Sequence, residues 1–371
     1  MSFTLNNIDK SYWKLFPFEK IAKRVSESVD PKTTDLTIYY GLEHLDGETI
    51  HIRRNGAPDD VSGGKLKCYP GDIIFGKRRA YQRKAGIVKE TGICSAHAFV
   101  FRANEDVIDM NLFPFFLHSD QFMHRMVDIS VGGLSPTINW SDLRHQDFLL
   151  PPKEQQAELA DLLWAMDEAI EKDLVLLERL KDLKRSKVQI LLFDTNNPLV
   201  SLRNYIKEKK EISNPPHLIS KYIGLEHIQV GKNFTNEYAD SSIVLSNCFK
   251  VKKGDLCYSK LRPYLDKAII ADFDCVCTTE IIVLNGNGIN NKLLLSLLHS
   301  FNFLEYIKDK GYGTKMPRVN FNILSEFKFN LPFNFEMIEK TIDNLDNSIL
   351  SLESKIQSSK ALQKSLINQI F

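Results

Sequence analysis

The sequence predicts an α+β protein in which two similar mixed α/β domains are separated by a pair of long antiparallel coiled-coil helices, as a pseudo-twofold tandem repeat. Three observations lead there. Two stretches carry apolar residues at heptad spacing, and a mixed region of short β-branched and aromatic runs precedes each of them. Blocks of the first mixed region also return in the second at a nearly constant distance.

Residues 1–150 form the first domain. The runs Leu36–Tyr40, Asp72–Phe75 and Ala98–Phe101 are bounded by Gly, Asp or Pro and predict strands, while residues 17–27 and 112–127 predict helices. Residues 151–193 form the central helix. Pro151 and Pro152 are accepted in a first turn, and the acidic Glu154, Glu158 and Asp161 suit the positive end of the helix dipole. Its apolar seam runs through Leu159, Leu163, Met166, Ile170, Leu177 and Leu180. Residues 194–333 repeat the order of elements of the first domain. Residues 334–371 form a final helix with a second seam: Ile338, Ile342, Leu345, Ile349, Leu352, Ile356, then polar Ser359 and Gln363, then Leu366 and Ile370. One seam needs another to bury it, and helices of matching length separated by a whole domain of sequence pair antiparallel.

The repeat is visible in single residues. Tyr40-Gly41-Leu42-Glu43-His44 returns as Ile223-Gly224-Leu225-Glu226-His227, and Gly71-Asp72 returns as Gly254-Asp255, each 183 residues on. The register slips to 181 by Pro136 and Pro317, and to 179 at Asp167 and Asp346 in the helices.

Composition narrows the function. The 371 residues carry a net charge of +1, so bulk charge does not announce a polyanion ligand and any such site rests on local patches. No apolar run reaches the roughly 18 residues of a bilayer span, and the opening residues lack a basic stretch before an apolar one. A cytoplasmic protein is therefore expected. Six cysteines without a CxxC pair or a histidine cluster point to reduced, buried thiols and to no metal. Motifs for dinucleotides, P-loops, serine hydrolases and zinc proteases are absent. Gly311-Tyr312-Gly313-Thr314-Lys315 lacks the first glycine and the following helix of a phosphate loop. Glu43 with His44, and Glu226 with His227, are neighbours in sequence; on a strand, neighbours point to opposite faces and form no acid–base pair.

The basic segments carry more. Lys77, Arg79, Tyr81 and Lys84 match Lys260, Arg262, Tyr264 and Lys267, with Arg78 and Arg83 added in the first repeat, and each set follows a Gly-Asp turn and a short apolar strand. Arg and Lys with an interleaved Tyr suit phosphates and guanine edges. A second polar segment before each helix offers Ser135, Thr137 and Asn139 in the first repeat and Thr314, Lys315, Arg318 and Asn320 in the second, beside glycines that permit close approach.

These blocks resemble the specificity subunit of type I restriction-modification systems along nearly the whole chain. The resemblance rests on Tyr222–His227, on Gly254–Lys267 with Cys277-Thr278-Thr279-Glu280, on Leu150–Gln156, and on the domain-plus-helix repeat. The first repeat departs, with Lys77-Arg78-Arg79-Ala80 in place of Lys-Leu-Arg-Pro and His97 where Glu280 would stand. The final helix start, Leu331-Pro332-Phe333-Asn334, lacks the second Pro and the Glu. The resemblance implies two target-recognition domains, each reading half of a bipartite site of double-stranded DNA in the major groove, with the helices as spacer. Helices of 33–40 residues are about 50–60 Å long, more than one turn of B-form DNA. It also implies no catalysis and no cofactor in this chain. Two methyltransferase (modification) subunits would dock on it, binding S-adenosylmethionine and methylating adenine. Motor-nuclease subunits using ATP and Mg would complete the complex. A nuclease or methyltransferase would need a clustered catalytic set that is absent. A coiled-coil protein-interaction scaffold without DNA readout would keep the repeat but leave the paired basic segments unexplained.

Overall fold

The computed structural model describes residues 10–313, 316–331 and 335–371. The expected contacts Thr314 and Lys315, the opening residues 1–9, and Pro332, Phe333 and Asn334 at the final helix start lie outside them. The chain divides into two compact units, Met1–Leu174 with Ser354–Phe371, and Val175–Glu353. The central helix, Lys153–Leu192, begins in the first unit and ends in the second; the final helix, Phe335–Ile370, does the reverse.

In the first unit an antiparallel sheet takes the order Ala22–Val25, Ala98–Ala103, Ile73–Gly76, Ala85–Ile87. A second sheet takes the order Ser28–Val29, Lys65–Cys68, Gly92–Cys94, Tyr39–Tyr40, the last pair parallel. Lys14–Pro17 pairs with Asp147–Leu150 just before the central helix. The second unit repeats this plan: Ile206–Lys209, Ile281–Gly286, Leu256–Ser259 and Ala268–Ile270 form one sheet. Ile212–Ser213, Cys248–Val251, Cys275–Cys277, Lys221–Ile223 and Ala239–Asp240 form another, and Leu199–Ser201 pairs with Lys328–Asn330. The Gly-Asp repeat is a fold signal. Gly71 and Gly254 take positive φ (+87° and +94°), where a Cβ is unfavourable, and the buried aspartates hold the turn. Asp72 accepts from Tyr69 N and, bidentately, from Arg102; Asp255 accepts from Lys252 N, Lys209 and Asn285.

The seams do what their spacing required. Leu159, Leu163, Ile170 and Leu177 are buried, as are Ile338, Ile342, Ile349, Leu352, Ile356, Leu366 and Ile370. Within the first unit Lys355 Nζ donates to Asp173 (2.9 Å) and Gln363 to the Leu163 carbonyl (3.4 Å), so the two helices run antiparallel there. Within the second unit Lys184 meets Asp346 at 2.7 Å and Lys181 meets Glu353 at 3.2 Å, again antiparallel. The helix ends are also built into the globular cores. Leu366, Ile367, Ile370 and Phe371 join Phe18, Phe116, Phe122 and Phe148; Val188 and Leu192 join Leu202, Phe303 and Phe329. The six cysteines are buried thiols, and burial pushes Cys257 and Cys275 up, the latter to about 12.

Four local expectations change. The helix over 17–27 is one turn, Phe18–Ile21, because Ala22–Val25 is drawn into the sheet edge against Ala103–Val100. The helix over 112–127 is two helices, Phe113–His118 and Asp120–Asp128, broken at Ser119, whose extended backbone lets its hydroxyl accept from Phe122 N and cap the second. The strand Leu36–Tyr40 pairs only at Tyr39–Tyr40, since its neighbour Gly92–Cys94 is short. His44 and His227 lie on turns rather than strands: each Nδ1 accepts from the backbone of the glycine three residues earlier, Gly41 (3.0 Å) or Gly224 (2.9 Å). A Cβ on either glycine would collide with the Glu43 or Glu226 carboxylate folded over it. Glu226 Oε1 also lies 3.9 Å from His227 Nδ1, but that nitrogen already accepts from Gly224 N, so both pairs serve the turn.

Burial also sets a pH dependence. His118 is buried and donates from Nε2 to the Ala85 carbonyl (2.8 Å). Burial, reinforced by Arg83, lowers its pKa to about 4 from 6.5. The unfolded chain therefore takes up a proton below pH 6.5 that the fold refuses, so stability is complete above 6.5 and declines toward 4, by about 1.4 kcal/mol per pH unit. Denaturant titrations of the first unit's transition between pH 6.5 and 4.5 should show this decline. His118→Gln should flatten it; an unchanged slope would remove His118 as its source.

Candidate nucleic-acid interface

The two segments singled out in each repeat are joined by backbone hydrogen bonds. In the first unit Arg79 N donates to Pro136 O (2.8 Å) and Ile138 N to Lys77 O (2.9 Å), with bridges at Arg78–Thr137 and Val131–Thr137. In the second, Arg262 N donates to Pro317 O (2.8 Å) and Val319 N to Lys260 O (3.0 Å), with bridges at Leu261–Arg318 and Tyr312–Arg318. The same junction is thus built twice.

Its backbone is strained in the same places. Each basic loop wraps a single 3-10 turn, Ala80–Gln82 or Pro263–Leu265, flanked on both sides by non-glycine residues in the left-handed region. These are Arg79 (φ 54°) and Arg83 (φ 52°), and Arg262 (φ 48°) and Asp266 (φ 52°). Such backbone costs on the order of 1–3 kcal/mol per residue and persists where something else holds it, often a function.

The side chains divide into two sets. Arg78, Arg79, Tyr81, Arg262, Tyr264 and Arg318 are exposed; Lys77, Ser135, Thr137 and Lys260 are half-buried beside them. Lys77 lies over the Phe99 ring (5.4 Å) and Lys260 over the Phe249 ring (5.6 Å), with Lys260 Nζ also donating to Thr279 O (2.5 Å). Arg79 Nε donates to Ser135 Oγ (3.2 Å), and Thr137 Oγ1 to Ser135 O (3.2 Å). Other expected contacts are engaged inside the fold. Lys84 donates to Leu42 O (2.6 Å) and Lys267 to Leu225 O (2.8 Å), tying the loop to the neighbouring turn in both units. Arg83 is held by Asp120 (2.7 Å), Glu48 and His118 O. Asn139 bonds Asp142, and Asn320 accepts from Ile323 N, capping the helix Phe321–Ser325. Gly311 closes the helix Phe301–Lys310, so the glycine-rich run follows a helix and is no phosphate loop.

Electrostatics differ between the units. In the first, burial and then Arg24 and Arg78 lower the Lys77 pKa, and His97 is lowered by desolvation, Arg78, Lys77 and Lys65. Arg24 and Lys77 share the Phe99 ring (each 5.4 Å from its centre), which sets two cations side by side next to Arg78. In the second, Glu280 stands at the His97 position and binds Arg318 (3.1 Å). Sequence reasoning missed Arg24 and the contrast at the 97/280 pair, although the offset of 183 that aligned the lysines also aligned His97 with Glu280. No group of three or more acidic, histidine or cysteine side chains among the described residues could hold a metal, and no described helix is long and apolar enough to cross a membrane.

Comparison with known proteins bears on this arrangement. Residues 41–179 and 202–359 each match the family model described as the type I restriction modification DNA specificity domain. The type I restriction enzyme EcoDI specificity subunit of Escherichia coli is 26% identical over 165 residues, 43% of this chain and 36% of that protein. The chain thus spans about a third of that relative's length. The type I restriction-modification S subunit from M. genitalium superposes with a TM-score of 0.58 at 15% identity, over 99% of this chain and 97% of its own. A chain from a structure concerned with complex assembly and conformational transition of the type I R-M system gives 0.57 at 16%, over 96% of each. Both share the fold.

Proposed function

Since the chain belongs to the type I restriction-modification DNA specificity family, we propose that its two units read the two halves of a bipartite DNA site and direct adenine methylation and restriction by associated methyltransferase and motor-nuclease subunits. The observation that carries this reading is the junction built twice, which presents Arg78, Arg79 and Tyr81 in one unit and Arg262, Tyr264 and Arg318 in the other. Exposed arginines on a strained, hydrogen-bonded loop suit phosphate neutralisation and base-edge contacts. Lys84, Lys267 and Arg83 would support these loops from behind.

The chain itself is proposed to be non-catalytic. Purified alone, with S-adenosylmethionine and DNA, it should transfer no methyl group; adding the methyltransferase subunit should establish transfer at a bipartite motif. Methylation proportional to this chain alone would overturn the assignment.

The helices are proposed to set the number of unspecified base pairs between the half-sites. One heptad inserted into each helix preserves both seams and adds about 10 Å at 1.5 Å per residue, roughly three base-pair steps. The methylated motif of the variant complex should keep both half-sites at the longer separation. Altered half-sites at the old separation would mean that the helices read bases.

A further inference from the structure

Among the described residues, Arg318 is the exposed cation of the two junctions whose side chain is held by a carboxylate, whereas Arg79 donates from Nε to the neutral Ser135 hydroxyl. Its backbone is fixed on both sides, by reciprocal bonds with Tyr312 (3.0 and 2.8 Å) and by the bridge to Leu261. Its side chain is exposed, and Nε donates to Glu280 Oε2 at 3.1 Å. Glu280 is itself fixed, since its carbonyl accepts from Lys260 N (2.8 Å) and its N–H donates to Thr278 Oγ1 (3.4 Å). The terminal guanidinium nitrogens of Arg318 have no partner among the described residues.

Two consequences follow from this geometry. A carboxylate on Nε restrains rotation of the guanidinium plane and leaves the terminal edge, with its two parallel donors, available on an exposed side chain. That edge matches the O6 and N7 acceptors of guanine. The same carboxylate repels a phosphate, so an arginine half-neutralised in this way is poorly suited to the DNA backbone and well suited to a base edge. The first unit has no such pair, because Thr137 and His97 occupy the corresponding positions.

Resting on the DNA-reading function proposed above, we infer that Arg318 recognises a guanine in the half-site of the second unit and that Glu280 is its positioning residue. The first unit makes no equivalent contact. The two half-sites are therefore read by different chemistry at the same place in the fold.

The test is selection from a randomised duplex pool by the full-length chain with its methyltransferase subunits. The wild type should select a guanine at a fixed position of one half-site. Arg318→Ala should lower that preference about 10- to 100-fold and leave the other half-site unchanged. Glu280→Ala should lower it about three- to fivefold while raising affinity for unrelated DNA, an increase that structural damage would not produce. Glu280→Gln should retain most of the preference, because its amide oxygen still accepts from Nε. An Arg318→Ala motif identical to wild type overturns the inference, as does an equal loss on every sequence, which marks a phosphate contact. If the wild type selects no sequence at all, the DNA-reading function itself falls, and this inference with it.

Discussion

Asp346→Ala is expected to destabilise the second unit by about 3–5 kcal/mol, the range for removing one partner of a buried ion pair. Asp346 is buried on the final helix and receives Lys184 Nζ from the central helix (2.7 Å) and Asn233 Nδ2 from the globular domain (3.1 Å). One carboxylate therefore joins three segments. Its removal leaves an ammonium on a side chain only 13% exposed, without a counter-ion. Denaturation of the full-length variant should show the second unit's transition shifted down by this amount, and Lys184→Met with Asp346→Leu should recover much of it, since an apolar pair tolerates the site. A shift below 1 kcal/mol for Asp346→Ala would mean that Lys184 reaches water without cost. In the first unit Asp167 takes the corresponding role against His51 (2.7 Å).

The largest functional effect is expected from alanine at Arg78, Arg79, Lys260 and Arg262 together. If each neutralises one phosphate, the slope of log K against log salt should fall by about 3.6, and affinity for any sequence should fall about a thousandfold at 0.15 M salt. Anisotropy titrations of the methyltransferase-bound complex at several salt concentrations measure both. An unchanged slope removes the loops from the interface. Glycine instead of alanine at 79 and 262 should bind equally poorly yet raise stability by about 1 kcal/mol per site, because both positions hold positive φ. Gain of stability with loss of binding would identify the strain as maintained for DNA.

The repeat and the seams were legible because they rest on spacing, which survives without coordinates. Gly71-Asp72 and Gly254-Asp255 were legible as turns, and the structure adds why the aspartate recurs, since its buried carboxylate holds the turn. Ala22–Val25 was illegible because its helical pattern yields to a partner strand far along the chain, Ala22 pairing with Ala103 and Val25 with Val100. At the candidate interface, sequence located the two segments of each repeat but not their union, because a backbone ladder between Arg79 and Pro136 leaves no compositional trace. Nor could it separate Arg78 from Lys84. Both are cations in one run, and only the fold shows that Lys84 is already engaged by the Leu42 carbonyl.

The exchange of helix halves between the units has a consequence during synthesis. The aromatic core around Phe18, Phe116 and Phe148 is completed by Ile370 and Phe371, with Phe371 5.3 Å from Phe116 between ring centres. Those last side chains are made only after the whole of Val175–Glu353. A chain growing from its N-terminus thus carries its first unit with this apolar notch unfilled until Val175–Glu353 has been made, so that core closes late, by docking of a helix rather than by local folding.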